Sequence, residues 1–126
     1  MSNDPISPKY LKVPFNFHLS RLHHERGEGT SDEFCAQFEG RLSSSELKFL
    51  YLLITCQIGI PNFRILPTDR LTKEFAFSDD LDYILIEPFC DRFKIRIPPQ
   101  KQFFLEEDNV RGLVSLLNAF KTRSKA

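Results

Sequence analysis

The sequence predicts an all-α fold, and three apolar patterns carry that expectation. Leu47, Leu50, Leu53 and Ile54 recur at helical spacing within 45–57, and Leu81, Ile84, Leu85 and Phe89 do so within 79–92. Val110, Leu113, Val114, Leu116, Leu117 and Phe120 form a third such face. Residues three and four apart lie on one side of a helix, so each set can be buried as a unit. The expected organisation is a helical domain over 44–120, an N-terminal extension over 1–43 that is partly ordered, and a flexible tail over 121–126.

The extension opens with Pro5, Pro8 and Pro14 among polar and aromatic residues, which suits an extended arm because proline fixes φ and lacks an N–H. Phe15, Phe17 and Leu19 alternate as in a short strand, while 18–25 reads equally as a short helix. Gly27-Glu28-Gly29 interrupts either one. Thr30-Ser31-Asp32 then starts a helix ahead of Glu33 to Phe38, with Gly40 as its stop.

Ser43-Ser44-Ser45 before Glu46 offers an N-cap to the helix over 45–57. Phe49, Tyr51 and Leu52 thicken its apolar stripe, so the helix should be largely buried, and Gly59 and Pro61 end it. A long connection over 59–77 follows, whose Ile65, Leu66 and Leu71 should pack under the helices. The helix over 79–92 takes Ser78 or Asp79 as its cap. Pro88 lies inside it, removing one hydrogen bond and crowding the Ile84 carbonyl, so the helix must kink there or be shorter. Pro98-Pro99 forces a break, and Phe103, Phe104 and Leu105 suit a short helix or turn. Glu106 to Asn109 open the last helix, where acidic groups favour the positive end of the helix dipole.

Composition bounds the function classes. At 126 residues and 41% apolar content the chain suits one domain with a small core, filled largely by rings because there are thirteen Phe and no Trp. A formal net charge of zero argues against a general nucleic-acid binder. No apolar run reaches the roughly 18–20 residues that membrane insertion requires. The first residues lack the charged start and apolar core of a signal peptide. Cys35, Cys56 and Cys90 are odd in number and scattered, which suits reduced, buried thiols in a cytoplasmic protein. His18, His23 and His24 do not share one helical face, so no metal site is expected. The chain has no glycine-rich phosphate loop, nucleophile elbow or paired-carboxylate motif; it is not expected to be an enzyme, and no catalytic residue is assigned.

The stretch from Leu71 to Pro98, LTKEFAFSDDLDYILIEPFCDRFKIRIP, resembles the middle of an acyl carrier protein. In that family a loop ending D-L-G-x-D-S-L leads into a helix that closes on phenylalanine, with I-P four and five residues later. Phe93, Ile97 and Pro98 hold those spacings. Counting back without a gap sets Ser78-Asp79-Asp80 on D-S-L, so Asp79 stands where the serine carries phosphopantetheine. The likeness is greatest to enterobacterial acyl-carrier-like proteins that lack this serine. It implies a small acyl-carrier-like four-helix bundle without the prosthetic group, since a carboxylate cannot form the phosphodiester. A one-residue shift would make Ser78 the attachment site of a working carrier in lipid or polyketide assembly. A third reading is an immunity or regulatory protein with carrier architecture only.

Charge adds a candidate surface. Glu74, Asp79, Asp80, Asp82, Glu87 and Asp91 follow one another with no base between them, and Arg92, Lys94 and Arg96 come next. In carrier proteins the acidic second helix meets Lys and Arg of partner enzymes. The resemblance therefore implies a protein partner with a basic patch, docking on Glu74, Asp79, Asp80, Asp82 and Glu87. Such complementarity chiefly raises association rates and rejects wrong partners.

Overall fold

A computed structural model describes residues 17–38, 41–75, 77, 82–98, 105 and 107–125. Among the described residues every regular element is helical, with no strand beyond one isolated antiparallel bridge between Glu28 and Phe63. The elements are α1 (Phe17–Arg26), α2 (Ser31–Ala36), α3 (Ser44–Ile58), a π-helical turn (Asp82–Ile86) running into α4 (Glu87–Phe93), and α5 (Val110–Lys125).

Local chemistry sets most helix ends. The reading of 18–25 as a helix, rather than a strand over 15–19, matches α1. It is closed by Gly27 at φ 77°, a left-handed conformation that glycine adopts without steric cost. Thr30 caps α2 reciprocally with Glu33, and Ser43 does the same for α3 with Glu46, each satisfying two backbone donors. Gly59 ends α3 at φ 76°. Asn109 caps α5, its side-chain oxygen accepting from the Gly112 N–H at 2.8 Å.

One core gathers all of these elements. Leu47, Leu50, Ile54 and Ile58 of α3 meet Leu85, Ile86, Phe89 and Cys90, together with Val110, Leu113, Val114, Leu117 and Phe120 of α5. Leu19, Phe34, Phe38 and Leu42 belong to the same cluster. Buried residues of this cluster thus lie on both sides of the expected boundary at 43, and rings carry much of the contact across it. Phe34 packs on Phe38 at 5.0 Å and on Tyr51 of α3 at 5.5 Å between centroids. At the other end α5 continues through the expected tail, and Lys121 donates to the Glu46 carboxylate at 2.8 Å.

The described part of the connection over 59–77 is ordered by what it buries. Ile65 and Leu71 lie inside as expected, while Leu66 is only partly covered. Phe63, Phe75 and Phe77 join them, Phe75 bridging the other two at 5.9 and 5.6 Å. The Tyr51 hydroxyl donates to the Phe63 carbonyl at 2.8 Å, pinning this loop to α3. Gly29 is needed where the α1–α2 link crosses it, because a Cβ there would sit 2.7 Å from the Arg64 Cα.

The expected helix over 79–92 divides at Pro88. Residues 82–86 are π-helical, and Pro88 falls in the first turn of α4, where its missing N–H costs little. The expected inner face was Leu81, Ile84, Leu85 and Phe89. The wider π turn shifts it, so that Ile86 and Cys90 are buried beside Leu85 and Phe89 while Ile84 is half-buried. Leu81 lies outside the described residues, as do Phe103 and Phe104; Leu105 packs partly against the core.

Two expectations on α3 and the thiols are corrected. Leu52 is 54% exposed, on the side of α3 turned from the core, and does not thicken its stripe. Cys56, one turn on from Leu52, is exposed too, whereas Cys90 is buried and Cys35 half-buried. No described helix is long and apolar enough to cross a membrane.

Candidate functional site

Glu87 and Asp91 stand four residues apart on α4, which sets them on one side of the helix with Cβ atoms about 5–6 Å apart. Both are exposed, and neither has an ion-pair partner among the described residues. The nearest cation in sequence is drawn elsewhere. Arg92 lies over the rings of Phe49 and Phe93, 5.8 and 5.7 Å from their centroids, an attraction between guanidinium and π face.

The two carboxylates line an open groove of about 660 Å³ together with Pro88, Cys90, Ile95 and Ile97. Its geometry follows from the end of α4. Lys94 takes a left-handed conformation at φ 56° and turns the chain, and the Ile95 N–H bonds back to the Cys90 carbonyl at 2.9 Å. The chain then leaves in an irregular stretch over 95–98, held by the Arg96 N–H on the Ser124 hydroxyl at 2.7 Å. Cys90 and Ile95 make an apolar floor, and carboxylates stand at the rim. Burial pushes the Cys90 thiol up to about 11, so at neutral pH it is protonated and a poor nucleophile.

Of the expected docking residues, the structure describes the side chains of Glu74 and Glu87, which lie on different elements. Glu74 belongs to the junction of α1 with the long loop: it is half-buried, accepts from the Arg70 N–H at 2.6 Å, and faces His18 Nε2 at 3.6 Å. Asp82 opens the π turn. Ser78, Asp79 and Asp80 lie outside the described residues, so the attachment point and its one-residue alternative do too. Asp91, Pro88, Cys90, Ile95 and Ile97 were not among the expected site residues. The i, i+4 spacing of Glu87 and Asp91 was a visible signal for the first of these. The apolar floor had none, because it depends on how the chain returns after Lys94. Searches against protein-family models, curated proteins and solved structures returned no match.

Proposed function

We propose that this protein is a non-enzymatic interaction module, an acyl-carrier-like helical bundle without phosphopantetheine, whose docking face is the acidic side of α4. The observation that carries this reading is the pair Glu87 and Asp91, exposed one turn apart and without a described cationic partner. The partner it fits is a protein with a basic patch. The carrier-like reading is further supported by the long connection after α3, ordered over its described residues 59–75 and 77, and by Phe93, which packs on Phe89 and Phe49 at 5.1 and 5.7 Å ahead of Ile97-Pro98.

The test is partner capture from host lysate with wild-type protein and with Glu87→Lys/Asp91→Lys, at low and moderate salt. Exposed charges are screened beyond about 8–10 Å at physiological ionic strength, so capture should fall with salt and with charge reversal. Equal recovery of the same proteins by both forms at both salts would sink the docking face. Intact mass after co-expression with a promiscuous phosphopantetheinyl transferase tests the other half. An added arm that Ser78→Ala abolishes would make the protein a working carrier instead.

A further inference from the structure

We infer that the groove beside α4 receives a short segment of a partner protein in which one arginine is flanked by aliphatic residues. This rests on the reading of α4 as a docking face and names what that face takes. Three features specify the occupant. The floor, Cys90 and Ile95, and the flanking Pro88 and Ile97 are apolar, and no hydrogen bond among the described residues engages the Cys90 thiol, so the interior asks for an apolar group. The rim offers two carboxylates at helical spacing and no base among its lining residues, so it asks for a cation. A guanidinium suits the pair better than an ammonium, because its planar fork of N–H donors can reach both carboxylates while lysine acts as a point charge.

The openness of the groove decides between a free small molecule and a peptide. Small-molecule sites commonly enclose about 70–90% of their ligand, which an open trough at the surface does not do. A segment held by a folded partner needs cover on one side only. The acids and the apolar floor then act together: either alone describes ordinary protein surface, and together they select a side chain with a long apolar stem and a charged end.

The test uses the purified full chain, labelled at isoleucine methyl groups, and the acetylated probe peptide Gly-Ile-Arg-Leu-Gly. Three control peptides replace its arginine by glutamate, its arginine by lysine, or both aliphatic residues by serine. The expected result is saturable shifts at Ile95 and Ile97 with the probe, weaker binding of the lysine form, and no saturation with the glutamate and serine forms. Glu87→Gln/Asp91→Asn should weaken the probe by about tenfold, the size of one lost charged hydrogen bond. Both positions are exposed, so the variant keeps its fold, which amide-shift dispersion checks. No shift at Ile95 and Ile97 up to millimolar peptide, or the same response to all four peptides, overturns the inference. If lysate capture nevertheless remains charge-dependent, the docking face stands and only this occupant falls.

Discussion

Asp69 is 3% exposed and ties α1, the long loop and α5 together. Its two carboxylate oxygens accept from Arg26 of α1 at 2.7 and 2.8 Å, one of them also takes the Leu66 N–H at 2.8 Å, and its carbonyl receives the Val110 N–H at 3.0 Å. The guanidinium also donates to the Arg64 carbonyl and lies over the Phe63 ring. Removing the carboxylate would leave a largely covered cation and an unpaired N–H, so Asp69→Ala should cost about 3 kcal/mol in urea unfolding. Glu46 gives a pH prediction. Burial pushes its carboxyl up, but the Lys121 hydrogen bond and those from Ser43 outweigh it, and the net direction is down. A group whose folded pKa is depressed contributes stability above its unfolded pKa and loses it as pH falls through the folded one. Wild-type protein should therefore exceed Glu46→Gln in melting temperature at neutral pH. The gap should close in acid, below the ordinary glutamate range. A gap that stays constant across this range would show that the carboxylate charge is not what stabilises the pair.

At the scale of the element, the π turn before Pro88 is the main departure from regular structure. A proline deep in an α-helix costs about 3 kcal/mol through its lost hydrogen bond and its clash with the carbonyl four residues back. Here the chain widens over Asp82–Ile86 directly before Pro88, which enters in the first turn of α4, and the wider π turn makes room for the ring where a regular α-helix would clash. Pro88→Ala should then change stability by less than about 1 kcal/mol, read from the midpoint of denaturant unfolding. A gain near 3 kcal/mol would mean that the proline strains a continuous helix. The same geometry explains why Cys90 rather than Ile84 is fully buried, and why the apolar floor of the groove lies where it does.

For the whole molecule, the question is how much chain the fold needs. Leu19, Phe34 and Phe38 are 1%, 1% and 4% exposed, so removing the residues before Arg41 uncovers the surfaces of α3 and of the long loop that they cover. Large apolar side chains contribute roughly 1.5–3 kcal/mol each on burial. Three of them approach the entire stability of a small domain, ~5–15 kcal/mol. A truncation starting at Arg41 should lose its cooperative melt and bind an apolar dye, even if helical circular dichroism persists. A sharp two-state melt of that fragment would restore a domain beginning at residue 44.

The sequence by itself determined where α2 and α3 begin and where α3 ends. Thr30 with Glu33, Ser43 with Glu46, and Gly59 are cap chemistry between neighbours in the chain, and the α5 face repeats at the helical period; none of this needs a tertiary partner. Only the tertiary structure decided which surfaces meet. Arg26 finds Asp69 across 43 residues, and Glu46 finds Lys121 across 75. Leu52 faces solvent while Cys90, less apolar, is enclosed. The physical reason is that capping and periodicity are short-range terms, summed along the chain. Burial and ion pairing depend on how loops return it, and Gly29, Pro88 and Lys94 set those returns through backbone constraints whose consequences appear only when the elements pack.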